Sequence, residues 1–257
     1  MTILDLFKTC KINLTDANIS RDDAEMLTYE FEITPKEFLN FSKQDFKAND
    51  QRGNINALTN AKRAIDCQTD KILACFGFDI KELPKINNEY IIFINPQLYK
   101  TDLPHKLKLL QALDLAPAGI IADVRTIRNK LEHEYKQFSD KEVQNAIQLA
   151  DLFINATDSK LKMVWAYRIS DVDAVNSSQG GLIDVRFSEK DKKLSIGGFI
   201  SGKHFKIELT KEDIEFYAFL KLTYSFHYDQ DVEDYFKELI AIIKHPIPAD
   251  QIHVENI

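Results

Sequence analysis

Residues that break helices are scarce here, with eight glycines and seven prolines in 257 positions. No internal repeat and no low-complexity tract occurs, and the first 160 residues read mostly as helix. Cysteine is scarcer still. Cys10, Cys67 and Cys75 form no C-x-x-C pair, which argues against a disulfide framework or a zinc knuckle and points to reduced thiols directed into packing. No stretch approaches the roughly 18 uncharged apolar residues of a membrane span. The opening MTILDLFKTCKINL lacks the basic start and cleavage site of a secretory signal and fits a short amphipathic helix. A cytoplasmic protein without membrane contact is the expectation. Positive charge is not in excess either: the net charge is −7. That balance argues against nonspecific coating of long nucleic acid and restricts an RNA footprint to a small cleft. Gly-rich phosphate loops, H-E-x-x-H and G-x-S-x-G are all missing, and no cofactor or metal is expected.

What is present is periodic. Thr34-Pro35-Lys36-Glu37 is a capping box with proline at the first helical position, opening a helix through FLNFSKQDF. Ile55, Leu58, Ile65, Ile72, Leu73 and Phe76 then recur at helical spacing, with Gly77 as a C-cap. Residues 79–103 are the least regular, with Pro84 and Pro96 flanking the apolar run EYIIFI. Helices are expected again over HKLKLLQAL, over 117–136, and over KEVQNAIQLADLFINAT behind a second capping box, Ser139 and Glu142.

From about residue 160 the period changes to two. KMVWAYRI, LIDVRF, LSIGG and HFKIEL read as half-buried strands, followed by helices over KEDIEFYAFLKL and VEDYFKELIAII and an extended tail. The expected fold is therefore mainly α with two domains. Residues 1–159 form an N-terminal helical bundle, and residues 160–257 a small α+β module with an antiparallel sheet whose role is open.

The polar residues that invite a functional reading lie in RNKLEHEY, residues 128–135. On a helical wheel with Val124 at zero, Ile120, Ile127 and Leu131 form the apolar stripe. Arg128 and Tyr135 flank it at about 40° and about 20°. Asn129 and His133, four apart, stack on a separate polar face, which fits either an ordinary solvated face with Arg125, Glu132 and Lys136 in salt links or a functional one. Arg128 and His133 diverge by about 140° on one helix. Upstream, Asn56, Asn60 and Arg63 make a polar stripe. It fits either hydrogen bonding inside the bundle or a second cleft wall, with Asn60 and Arg63 contacting substrate.

This run resembles the R-x4-6-H motif of HEPN domains, in the RN-x3-H form, and with Tyr135 the R-x4-H-x-Y form of HEPN toxins. INALTNAKRAIDCQTDKIL before it and KEVQNAIQLADLFINA after it resemble the helices that flank the motif, so the likeness covers about residues 45–157. The resemblance implies a HEPN-like bundle acting as a metal-independent endoribonuclease on RNA. It also implies a homodimer in which two motifs share one cleft, in a toxin–antitoxin or defence setting. Arg128 would hold the scissile phosphate, His133 would serve as general acid or base, and Asn129 would orient either. Tyr135 is either the site nucleotidylated by a nucleotidyltransferase antitoxin or a packing residue. The alternative is a non-catalytic HEPN module that binds a nucleotide or a protein.

Other features read as structural. Asp171 and Asp173 fit a solvated loop. His204, His227, His245 and His253 have no ligand spacing. Trp165, Tyr167, His204 and Phe205 fit either a core face or an aromatic surface for stacking bases.

Overall fold

The computed structural model describes residues 1–116, 123, 126, 138–162, 164–171, 181–226 and 229–256. The chain is an α/β protein built as two compact units that interleave in sequence. One comprises Met1–Leu27, Pro84–Tyr90 and Lys162–Ile257, and the other Thr28–Leu83 and Ile91–Leu161.

The first unit holds a six-stranded mixed sheet. Its strands are β1 (Ala17–Glu25), β2 (Val164–Asp171), β3 (Leu182–Ser188), β4 (Lys193–Ile200), β5 (Lys203–Leu209) and β6 (Val254–Asn256), in the order β5-β4-β3-β2-β1-β6. Neighbours are antiparallel except β1 and β6. The β1–β2 register runs from Ala17 opposite Asp171 to Glu25 opposite Val164, with a shift between Arg21 and Ala24. Alternation sorts the faces: Ile183, Val185 and Phe187 of β3 and Leu194 and Ile196 of β4 are buried.

Helix α1 (Ile3–Cys10), capped by Thr2 and Asp5, packs against β3 and β4. Its approach requires glycine. A Cβ at Gly198 would collide with Leu6 Cδ1 and stand 3.0 Å from Cys10 Sγ, and one at Gly181 would strike the Cys10 carbonyl.

Towards the end of the chain stand two further helices, Ile214–Leu222 and Asp229–Ile242, which pack on one another. Phe236 of the second lies 6.4 Å from Phe7. Fully buried Tyr90 stacks on Tyr217 at 5.1 Å and donates its hydroxyl to Glu238 Oε1 at 2.8 Å. Lys221 Nζ donates to the other oxygen, Oε2, at 2.8 Å. Burial, and then the charge of Glu238, pushes the Tyr90 hydroxyl well above its ordinary pKa, so it stays a donor.

The second unit is helical. Its described helices include α2 (Pro35–Phe46) and α3 (Gln51–Cys75), with α4 (Ile86–Ile94) entering it after Tyr90. Then come α5 (Pro96–Lys100), α6 (His105–Ala112) and α7 (Asp140–Leu161). Both capping boxes form: Glu37 N–H donates to Thr34 Oγ1 at 3.2 Å, and Glu142 N–H to Ser139 Oγ at 3.4 Å. Small residues on α3, namely Ala57, Ala61 and Ala64, are buried where α2 and α7 pack against it. Polar ties fix the register. Ser42 Oγ donates to the Ala57 carbonyl at 2.6 Å, Asn54 Nδ2 to Asp140 Oδ1 at 2.8 Å, and fully buried Gln68 Nε2 to Thr157 Oγ1 at 3.0 Å.

The expected architecture of an N-terminal bundle followed by a small sheet module is thus corrected. The sheet is not confined to residues beyond 160, because β1 is one of its strands and α1 belongs to its unit. The helical unit begins only at Thr28. β1 is not legible in the sequence because SRDDAE, six of its nine residues, is mostly charged or polar with Arg21, Asp22 and Asp23 exposed in a row, so it carries no alternating signal. EYIIFI, which reads as irregular, is helical within α4. Among the described residues no helix is long and apolar enough to cross a membrane.

Residues 162–257 expressed alone would lack β1, which hydrogen-bonds β2, and α1, which covers β3 and β4. The expected outcome is a fragment that aggregates or shows no cooperative melt by circular dichroism. A soluble fragment with a sharp thermal transition would contradict this dependence.

Candidate functional site

The central motif residues, Arg128, Asn129, His133 and Tyr135, lie outside the described residues. Asp123 and Thr126, which precede them, are described, and both are exposed and line an open cleft of about 430 Å³ in the helical unit. α3 contributes Leu58 as an apolar wall and Phe138 stands before α7, which supplies Glu142, Asn145, Gln148, Leu149 and Leu152. The spacing explains the α7 contribution. Residues 145, 148, 149 and 152 fall at i, i+3, i+4 and i+7, one stripe of a helix, while Val143, Ala146, Ile147 and Ala150 turn into the core.

Glu142 is held in place by its capping box. Ser139 N–H and Oγ–H donate to Glu142 Oε2 at 3.0 Å and 2.9 Å. Neither amide, Asn145 or Gln148, finds a hydrogen-bond partner among the described residues. Neither amide belongs to a motif recognisable in the sequence. The available signal was a pair of polar side chains at i, i+3 on the outward face of a capped helix.

The upstream polar stripe goes elsewhere. Asn60 Nδ2 donates to Asp45 Oδ2 on α2 at 2.8 Å, and Arg63 Nη1 donates to Asn60 Oδ1 at 3.4 Å. Leu58, not Asn60 or Arg63, lines the cleft beside Asp123 and Thr126. Arg63 instead opens on a second groove of about 570 Å³, with Phe31, Ile33, Phe38 and Cys67 and the carboxylates of Glu32, Asp66 and Asp70. Asp70 is bound by Lys106 Nζ at 2.5 Å. The carboxylates that line this groove beside Arg63 weigh against a phosphate there.

At the end of α7, Asp158 accepts from Gln68 Nε2 and Lys71 Nζ, both at 3.0 Å, and pairs with Lys36 Nζ at 3.4 Å. Burial pushes this carboxyl up, but the bonds from Lys71 and Gln68 and the two lysine charges outweigh it and hold the pKa below the ordinary value. The network is structural, because every group in it joins α7 to α3 or to the start of α2. His105 is lowered by burial and then by Lys108.

In the sheet unit the outward face carries ion pairs. Arg168 reaches Asp22 at 2.9 Å and Asp184 at 3.4 Å, and Arg186 reaches Asp22 at 3.4 Å. Arg21 lies 5.3 Å from the centre of the Trp165 ring. The aromatic set is divided: Tyr167 is fully buried and donates to the Phe219 carbonyl at 3.2 Å, while His204 is exposed against Phe199 at 4.6 Å. Asp173 and His227 lie outside the described residues, as does the Asp171 side chain. Among the described residues no group of three His, Cys, Asp or Glu is placed to hold a metal ion.

No protein-family model matches the chain, and neither does any curated protein or solved structure.

Cys67, half-buried in the second groove, points its thiol at the Ile33 carbonyl at 3.6 Å. Burial, then Asp70, pushes its pKa up to about 11. Since the thiolate is the nucleophile, alkylation of Cys67 in the folded protein should be slow at pH 7.5 and keep accelerating towards pH 11. A rate that levels off below pH 9, read by mass spectrometry, would contradict that environment.

Proposed function

We propose that the chain is a metal-independent endoribonuclease of HEPN type, cutting RNA with the residues of RNKLEHEY. The observation that carries this reading is the motif itself, Arg128, Asn129, His133 and Tyr135 in RN-x3-H-x-Y spacing. Two features support it. α3, whose sequence resembles the earlier flanking helix, and α7, directly after the motif, pack on one another. Thr126, two residues before Arg128, lines an open cleft of the helical unit.

The chemistry follows from the residue types. A base removes the proton of a 2′-hydroxyl, the 2′-oxygen bonds to the adjacent phosphorus, and the bond from phosphorus to the 5′-oxygen breaks as an acid protonates that oxygen. An imidazole with an ordinary pKa near 6.5 serves in either role near neutral pH. Arg128 would offset the charge gathering on the phosphoryl oxygens, and Asn129 would orient the imidazole or the phosphate. Two copies of the chain facing one cleft would supply two imidazoles, one neutral and one protonated, and would bring together an arginine and a histidine that diverge on one helix. Tyr135 keeps two readings, a target for nucleotidylation by an antitoxin and a packing residue. The second functional reading is a non-catalytic HEPN module that binds a nucleotide or a protein. The net charge of −7 and the carboxylates of Asp123 and Glu142 at the cleft favour it.

Purified protein should cleave single-stranded RNA in EDTA, leaving 2′,3′-cyclic phosphate and 5′-hydroxyl ends, and should spare DNA, which lacks the nucleophile. Removing the general acid–base group in His133→Ala should lower the rate by about 10²–10⁴-fold. Arg128→Ala should weaken both binding and turnover. Equal cleavage by wild type and His133→Ala, read on a sequencing gel, would refute the nuclease assignment and leave the binding module.

A further inference from the structure

We infer that two copies of the chain associate through their β5 edges, which pair antiparallel about Ile207 and continue one sheet into the next. The inference goes beyond the nuclease reading and does not depend on the RNA motif. β5 ends the sheet on the side away from β6, and among the described strands it pairs with β4 alone. One row of its backbone N–H and C=O groups therefore has no strand beside it, the arrangement that templates pairing with another chain. The strand is open along its length: Lys203, His204, Lys206 and Glu208 are exposed, and Phe205 and Ile207 are half-buried. The β4–β5 turn is only Ser201 and Gly202, both at positive φ, 48° and 74°, as tight hairpins favour. Beyond its chain neighbours nothing stands within 4 Å of where a Cβ would sit at Gly202, so no described segment folds back over that turn.

Register and charge decide what the edge accepts. Phe205 stands opposite Gly198, Ile207 opposite Ile196 and Leu209 opposite Leu194, so these side chains continue the buried face of the sheet past β4. Lys206 and Glu208, opposite Gly197 and Ser195, stand on the other face. A matching strand must bring apolar groups to one face and complementary charges to the other, with period two. β5 itself meets that requirement. A two-fold antiparallel pairing about Ile207 sets Ile207 against Ile207 and Phe205 against Leu209 on the apolar face. On the outer face it sets Lys206 against Glu208 twice. The two residues already pair within one strand at 2.8 Å, so two strands would form a ladder of four alternating charges. Lysine on an edge ordinarily blocks such pairing. Centring on Lys206 would oppose lysine to lysine, centring on Glu208 would oppose glutamate to glutamate, and centring on Phe205 would set Lys206 against His204. The register about Ile207 is the one in which the lysine is met.

Sedimentation velocity of the full-length chain should show a concentration-dependent equilibrium of monomer and dimer, weak because the paired edge is short. Lys206→Glu and Glu208→Lys should each weaken the dimer at least about tenfold, since the two-fold axis turns two attractive pairs into two repulsive ones. Lys206→Glu combined with Glu208→Lys restores opposite charges in the same register and should recover wild-type association. Both positions are exposed, so far-UV circular dichroism should be unchanged in all three variants. Cross-linking reads the register separately. Ile207→Cys, with Cys67→Ser to remove the half-buried thiol, should give a disulfide-linked dimer on mild oxidation, because directly opposed Cα atoms stand within disulfide reach. Phe205→Cys in the same background, whose two copies do not face one another in this register, should stay unlinked.

A chain that stays monomeric at every concentration would overturn the proposal. So would a dimer that both single variants leave intact, a loss that the double variant does not reverse, or equal cross-linking at 205 and 207. Its failure is separable from that of the nuclease reading. RNA cleavage by a dimer that the β5 variants leave untouched would reject this interface and keep the shared cleft. A charge-rescued β5 dimer that cuts no RNA would uphold the interface and reject the nuclease.

Discussion

The pairing of β1 with β2 is the constraint on which the rest of the sheet unit depends. It joins Ala17–Glu25 to Val164–Asp171 across most of the chain length and carries β6, at the far end, on its other edge. Closing so long a loop is costly, yet the cost grows only with the logarithm of its length. An intervening segment that folds as a compact unit shortens the effective loop further. The cross-strand ion pairs of Arg168 with Asp22 and Asp184 contribute little by comparison. Their side chains are between about three and five tenths exposed, and such pairs are worth about 0.2–1 kcal/mol. Burial of Ala17 and Ile19 on one face holds the register, because a slip of one residue would exchange their places with polar Asn18, which is buried on the other face.

The second constraint is local. α3 carries alanine at 57, 61 and 64, where α2 and α7 pack, and its polar interior residues are met by specific partners. Gln68 and Lys71 converge on Asp158, and Asn54 meets Asp140. These bonds tie both ends of α7 to α3, so the stripe of Asn145, Gln148, Leu149 and Leu152 is presented outward as one rigid face. A cleft built on two packed helices is better defined than one built on a loop, and the Ser139–Glu142 box fixes a carboxylate at its rim.

Much of this was legible in the sequence wherever structure is set locally. The Thr34–Glu37 and Ser139–Glu142 boxes, the Gly77 terminus with its positive φ, and the strands LIDVRF and HFKIEL all declare themselves by spacing and residue type. What stayed hidden was set at long range. β1 is half polar and takes its conformation from β2, and no pattern in residues 17–25 announces a partner beyond residue 160. The same holds for the candidate site. Asn60 and Arg63 share a face with each other, as their spacing indicates, but whether that face opens on the cleft depends on how α3 is rotated against α7. The rotation turns Leu58 to the cleft and leaves Asn60 bonded to Asp45.

On the proposed reading RNA is engaged at His133, one of six histidines in an acidic protein. The direct measurement is proton NMR of the imidazole signals during titration with an RNA oligonucleotide whose 2′-hydroxyls are methylated, which binds but cannot be cut. One imidazole signal, the one missing from His133→Ala, is expected to shift with RNA. Its pKa should rise, because a nearby phosphate favours the charged ring. A His133 signal that stays still, while those of His204 or His253 move or none do, would contradict the claim.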